Sequence, residues 1–156
     1  MVGIGYDIHR LEEGQSLILG GIKIESMIGT VAHSDGDVLI HSIIDALLGA
    51  ASLGDIGDYF PDSDAQYKNI SSVELLLTVN KMLIEKGFGI VNIDVTVVLE
   101  KPKLSPYKSP IKNNLAKILS LSCDQINIKA TTNEKLDSIG NNASVAVFSI
   151  CQLFKS

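Results

Sequence analysis

Tryptophan is absent, phenylalanine and tyrosine number four each, and Arg10 is the only arginine in 156 residues. So few flat rings and guanidinium groups leave little to stack on bases or grip a phosphate backbone, and a formal charge of -5 adds to the case against nucleic acid as a partner. The two cysteines, Cys123 and Cys151, are far apart and form no C-x-x-C pair, which argues against a zinc knuckle or a disulfide framework and points to a reducing compartment. The first residues carry no basic stretch followed by an apolar one, and apolar runs such as Val145 to Phe154 are about half of what a bilayer-crossing helix needs. A soluble, cytoplasmic protein without a membrane partner is expected.

Apolar residues are plentiful. They make up 46% of the chain, with a mean hydropathy of +0.26, enough to build one packed core. No repeat or low-complexity tract interrupts the sequence, so residues 1–156 read as a single domain.

Val2 to Leu11 and Leu17 to Ile24 are short β-rich runs separated by Glu12-Glu13-Gly14-Gln15, the second interrupted at Gly20-Gly21; they predict strands joined by turns. Asp35-Gly36 opens a helix. From Asp37 to Ser52 the apolar residues Val38, Leu39, Ile43, Ala46, Leu47 and Ala50 keep helical spacing, Asp37, His41 and Asp45 form a polar stripe, and Gly54 is the stop. Gly54 to Lys68 is rich in Gly, Asp, Pro and Ser and reads as an acidic loop suited to a lid. Ser71-x-x-Glu74 matches a capping box for a helix closed by Gly87, and Ser109-Pro110 predicts a helix start running to about Leu121. Ile90 to Glu100, Ile126 to Thr131 and Ser144 to Leu153 complete the strands. The expected fold is α+β, a β-sheet with helices packed on one face.

The sharpest chemistry is Asp7-x-His9 with His41. Residues two apart on a strand point the same way, so Asp7 and His9 can converge on one ion while His41 arrives from the following helix. Two imidazoles and a carboxylate make a three-ligand zinc set with a fourth position open for substrate. Asp37 or Asp45, four residues either side of His41, could orient its imidazole. The plainer alternative is a surface His9 and a satisfied, half-buried His41. His33-Ser34-Asp35-Gly36-Asp37 could bind an anion at the helix start, or Ser34 or Asp35 could simply cap that helix. Thr131-Thr132-Asn133-Glu134 joins hydroxyls to a hard carboxylate suited to Mg²⁺, and equally suits a turn after a strand. Lys101-Pro102-Lys103 could attract phosphate or could be solvated.

Several strings, in order and spread over essentially the whole chain, carry a resemblance. They are Gly5-Tyr6-Asp7-Ile8-His9, Ala32-His33-Ser34-Asp35-Gly36-Asp37, Asp45-Ala46-Leu47-Leu48-Gly49-Ala50-Ala51, Gly54-Asp55-Ile56-Gly57, Phe60-Pro61-Asp62-Ser63-Asp64 and Lys129-Ala130-Thr131-Thr132-Asn133-Glu134-Lys135-Leu136. The sequence resembles the 2-C-methyl-D-erythritol 2,4-cyclodiphosphate synthases. The resemblance implies a lyase of non-mevalonate isoprenoid biosynthesis whose substrate is 4-diphosphocytidyl-2-C-methyl-D-erythritol 2-phosphate. In that reaction the 2-phosphate attacks the β-phosphorus, CMP leaves and a cyclic diphosphate closes.

Carried onto this sequence, Asp7, His9 and His41 match the Zn²⁺ ligands, and Glu134 matches the residue holding Mg²⁺ or Mn²⁺ between the phosphates. His33 and Thr132 match the groups that stabilise the transition state. Substrate contacts fall on Asp7, Ile8 and His9, on His33 and Ser34, on Asp55, Ile56 and Gly57, and on Phe60, Pro61, Asp62, Ser63 and Asp64. The segment Leu99, Glu100, Lys101, Pro102, Lys103, Leu104 and Ser105 matches the part that receives cytidine, with Thr131, Thr132, Asn133 and Glu134 beside it. The family forms a homotrimer with active sites between subunits.

One stretch departs from the family pattern. Where relatives carry an aromatic and then Gly-Arg-x-Glu-Gly, this chain has Ser138 and Gly140-Asn141-Asn142-Ala143-Ser144, so the Arg and Glu that line the trimer axis are missing. Weak occupancy of that axis by an isoprenoid diphosphate is expected. Two other readings compete with the synthase: a zinc-dependent phosphohydrolase using the same three ligands with water, and a non-catalytic module whose metal only stabilises it.

Overall fold

A computed structural model describes residues 1–61, 63–67 and 69–155. Its spine is β1 (Val2–Glu13), in which Gly3 and Gly5 are buried while Val2, Ile4, Tyr6 and Ile8 point to the opposite, exposed face. β1 pairs antiparallel with β4 (Ile28–Thr30) on one side and β7 (Ser144–Lys155) on the other. β7 pairs antiparallel with β5 (Phe88–Val98), which pairs parallel with β6 (Ile126–Thr131), giving the order β4-β1-β7-β5-β6. The parallel pair needs a crossover, and α4 (Lys108–Leu119) supplies it.

The run 17–24 folds as a separate hairpin of β2 (Leu17–Leu19) and β3 (Ile22–Ile24), turning at Gly20 and Gly21 with φ of 61° and 76°. β4 was not expected, because three residues are too few to show a period.

α1 (Val38–Ala50) and α3 (Ser72–Glu85) join α4 on one sheet face, as expected. Ile43, Ile44 and Leu47 of α1, Leu76 and Val79 of α3, and Ile111 and Leu115 of α4 share one cluster with Ile93, Val95, Val97 and Val147 of the sheet. Among the described residues no helix is long and apolar enough to cross a membrane.

Three helix starts differ from expectation. α1 is capped by Asp37, which accepts from the Ile40 N–H, and not by Ser34 or Asp35. Ser71 precedes α3 but makes no side-chain cap, so no capping box forms; the Asp35 carboxylate takes the Ser72 N–H and hydroxyl instead. α4 begins at Lys108, ahead of Ser109-Pro110, because Tyr107 and Lys108 already bond back to the Leu104 carbonyl. Pro110 costs nothing there, since the first turn of a helix has no intrahelical use for its N–H groups. Residues 54–68 hold α2 (Ile56–Tyr59), closed by an Asp55/Asp58 capping box, and a 3-10 turn at Ala65–Tyr67. A further short helix, α5 (Asp137–Gly140), precedes β7.

Candidate metal centre

Strand alternation carries Asp7 and His9 on the same side of β1 as Gly3 and Gly5, the side that α1 covers. Those glycines let α1 lie directly on the strand. A Cβ on Gly3 would sit 2.1 Å from the Ala46 carbonyl oxygen, and one on Gly5 1.8 Å from that of Ser42. With helix and strand in that contact, His41, in the first turn of α1, reaches the end of β1. Asp7 Oδ2 lies 2.9 Å from His9 Nε2 and 3.2 Å from His41 Nδ1. One ligand atom from each of the three falls within 4.8 Å of the others. The expected convergence is therefore present; of the plainer alternative, His9 is half-buried and not a surface residue, while His41 is indeed half-buried with both ring nitrogens partnered.

The two imidazoles shape the electrostatics. Burial works to raise the Asp7 carboxyl, but hydrogen bonds from His41 and His9 and their charges outweigh it and bring it down to about 2. Burial works to lower His41, yet the hydrogen bond and charge of Asp7, with Asp37 and Asp35 beyond, leave it above its ordinary 6.5. Two imidazole nitrogens and one carboxylate oxygen suit zinc by donor type, and no cation among the described residues pairs with Asp7 in their place.

Neither aspartate expected to orient His41 does so. Asp37 stands at the cap, before the helix proper, where its carboxylate accepts from Gly20, Gly21 and Ile40 at 2.9, 2.6 and 3.0 Å. Asp45 accepts from the Ile56 N–H at 2.8 Å and so ties α2 to α1. His41 Nε2 instead meets the Ser72 hydroxyl at 2.9 Å. The sequence offered only one clue to Ser72, its place at the start of α3.

A cavity of about 680 Å³ opens beside the three ligands. Of the expected site residues it is lined by Asp7, Ile8, His9, His33, Ser34, His41, Ile56, Gly57, Phe60, Ser63 and Asp64. Arg10, Tyr67, Ile70 and Leu75 also line it and were missed; for Arg10 the signal was there, the sole arginine beside D-x-H. Asp55 and Pro61 stand next to the wall, Asp55 accepting from the Asp58 N–H and Pro61 from the Asp64 N–H. Asp62 lies outside the described residues.

The other expected residues form a second group. Leu99 N–H donates to the Thr131 carbonyl, and Glu100 accepts from the N–H groups of Asn133 and Lys135 at 2.9 and 3.0 Å. Residues 99–105 and 131–134 thus gather where β5 and β6 end, with Leu99 and Leu104 buried and Lys101, Lys103, Ser105 and Glu134 exposed. None of them lines the cavity of its own chain. Both groups occupy the same end of the sheet, because Ala146 of β7 stands opposite Ile8 of β1 and Val98 of β5 alike.

Known proteins share this arrangement of sequence and fold. A 2-C-methyl-D-erythritol 2,4-cyclodiphosphate synthase of Clostridium acetobutylicum is 53% identical over 152 residues, 97% of this chain and 98% of that one. The bifunctional IspDF of Campylobacter jejuni superposes with a TM-score of 0.95 at 45% identity, over 99% of this chain and 42% of that longer one. A 2C-methyl-D-erythritol-2,4-cyclodiphosphate synthase in its CDP-bound form gives a TM-score of 0.92 at 34% identity, over 99% and 100% of the two chains. With residues 1–154 matching the family throughout, the chain belongs to the YgbB family.

Proposed function

We propose that this protein is an enzyme of isoprenoid precursor synthesis that converts 4-diphosphocytidyl-2-C-methyl-D-erythritol 2-phosphate to 2-C-methyl-D-erythritol 2,4-cyclodiphosphate and CMP in the cytoplasm, working as one domain over 1–156. The observation that carries this is the Asp7–His9–His41 cluster at the wall of the cavity, in a chain about half identical to synthases of that name. A relative solved with CDP adds support for a cytidine-bearing substrate.

A bond forms between a 2-phosphate oxygen and the β-phosphorus while the bond from that phosphorus to the oxygen bridging to CMP breaks, the electron pair leaving with CMP. No enzymic nucleophile and no water enter, so the work is positioning and charge stabilisation. Zn²⁺ on Asp7, His9 and His41, and Mg²⁺ or Mn²⁺ on Glu134, would supply charge neutralisation at the phosphate oxygens. His33 and Ser34 offer polar groups to a phosphate from the wall of the cavity, and Thr132 is assigned the matching role from the second group. Asp55, Ile56 and Gly57, with Phe60, Pro61, Ser63 and Asp64, would enclose the erythritol, and Leu99 to Ser105 with Thr131 and Asn133 would receive cytidine largely through backbone groups.

A homotrimer with sites between subunits suits the two groups of residues that one chain keeps apart. The sheet face away from the helices also favours it: Val2 and Ile4 are 67% and 69% exposed, beside exposed Tyr6, Phe148 and Ile150. At the assembly's axis, Ser138, Asn141 and Ala143 would offer no positive charge to an isoprenoid diphosphate.

Phosphorus NMR of the protein with the cytidyl substrate and Mg²⁺ tests the reading. CMP and a cyclic diphosphate are expected; a linear phosphate product would instead indicate hydrolysis.

A further inference from the structure

We infer that Ser72, held by Asp35, is a positioning residue for His41: it fixes the proton of that imidazole on Nε2 and leaves the Nδ1 lone pair for the metal. The inference rests on the metal-binding reading of Asp7, His9 and His41.

The direction of each hydrogen bond follows from what the groups can do. Ser72 is fully buried, its Oγ within bonding distance of Asp35 Oδ1 and 2.9 Å from His41 Nε2. A carboxylate only accepts, so the single hydroxyl proton of Ser72 goes to Asp35. Towards His41 the hydroxyl then presents lone pairs alone. Nε2 must therefore carry a proton, since an unprotonated Nε2 would set two acceptors against each other at that distance. The remaining nitrogen, Nδ1, is 3.2 Å from Asp7 Oδ2 and inside the three-ligand cluster; without a metal it donates its own proton to that carboxylate, and that proton is the one a metal would displace.

The support is rigid. The backbone N–H of Ser72 also donates to Asp35, at 2.9 Å, so the residue is gripped at two points. Asp35 accepts from the Asp37 N–H as well, at 3.2 Å, which joins the turn before α1 to the start of α3. The two helices pack against each other in the core, so the hydroxyl and the imidazole cannot drift apart independently. Asp37 and Asp45 are engaged elsewhere and cannot take over the role. Partners of this kind, which orient a ligating imidazole through its other nitrogen, change metal affinity ~10–100-fold when removed.

The test uses the whole purified chain. Zinc affinity, measured by competition with a chromophoric chelator, should fall ~10–100-fold in Ser72→Ala and return to within about threefold of wild type in Ser72→Thr, which keeps the hydroxyl. In the zinc-loaded wild type, nitrogen NMR should show His41 coordinated through Nδ1 with a slowly exchanging Nε2 proton. A folded Ser72→Ala with wild-type zinc affinity, or His41 coordinated through Nε2, would overturn the inference. If Ser72→Ala does not fold, the wild-type spectrum decides alone. If the wild type binds no zinc, the metal reading fails by itself. The metal-free protein must then still show a slowly exchanging Nε2 proton next to Ser72; fast exchange there rejects the role of Ser72.

Discussion

Gly5 of β1 lies against Ser42 of α1 so closely that a Cβ on the glycine would sit 1.8 Å from the Ser42 carbonyl oxygen. This contact sets how near His41 comes to Asp7. Gly5→Ala must push the helix off the strand, and since the obstacle is backbone, no rotamer change relieves it. A loss of about 3 kcal/mol in urea unfolding is expected. Bound zinc per chain should fall with it; a variant that kept full zinc content would show that the helix position does not govern the site.

Asp37 offers a second structural test. Its fully buried carboxylate joins the β2–β3 turn to the first turn of α1 through three N–H donors. Asp37→Ala leaves all three donors without that acceptor, the bonds from Gly20 and Ile40 being buried, and denaturant titration should show a loss on the order of 3 kcal/mol.

The shifts at Asp7 and His41 give a pH profile for the metal-free protein. Asp7 is lowered from 3.8 to about 2, so its contribution is present above pH 3.8 and is lost as pH falls towards 2. His41 is raised from 6.5, so its contribution is full below pH 6.5 and is lost as pH rises through the raised value. The pair is one interaction and should stabilise the metal-free fold most between those limits. Zinc reverses the alkaline side, because it needs Nδ1 unprotonated and so binds more tightly as pH rises through the His41 value. Unfolding at about pH 5 and about pH 9, with and without zinc, checks both signs.

Chelation should remove activity and leave the fold. β1 and α1 are held by apolar residues such as Ile43, Ile44 and Leu47, not by the ligands. Far-UV circular dichroism is expected to stay unchanged after exhaustive chelation, with the melting temperature a few degrees lower from lost ligand linkage. Collapse of the spectrum would mean that the metal is structural.

Glu100 fastens the turn that carries Glu134. Its carboxylate accepts from Asn133 and Lys135 on either side, and Glu134 and Lys135 both hold positive φ, 53° and 61°. Such backbone persists only where the surroundings hold it. Glu100→Ala should lower kcat at least tenfold through loss of that placement, at a stability cost of about 1–2 kcal/mol. Zinc content should stay at the wild-type level, since Asp7, His9 and His41 stand apart from this turn.

Much of the fold was legible from local patterns. The 3.6-residue spacing of Val38, Leu39, Ile43 and Leu47 found α1, and the β-branched run before Glu100 found β5. Helix starts were less legible. Ser71-x-x-Glu74 has the right letters for a capping box, but the Glu74 N–H bonds to the Ser71 backbone carbonyl and not to its side chain, while Asp35, far away in sequence, holds the Ser72 N–H and hydroxyl. Ser109-Pro110 looks like a beginning, yet the turn at Leu104 starts α4 earlier. The metal-type cluster was legible because period-2 alternation is a local rule, whereas the partner of His41 was not, because Ser72 reaches it only through the packing of two helices.

By itself, the sequence determined the α+β character, the pairing of Asp7 with His9 on one side of a strand and the likeness to the synthases, since periodicity and motif strings are properties of neighbouring residues. Only the tertiary structure decided that Ser72, and neither Asp37 nor Asp45, holds His41, and that Glu100 fastens the Glu134 turn. It also separated residues 99–105 and 131–134 from the cavity of their own chain. Those outcomes depend on which buried donors and acceptors packing brings within about 3 Å, and each N–H or hydroxyl proton can be given only once.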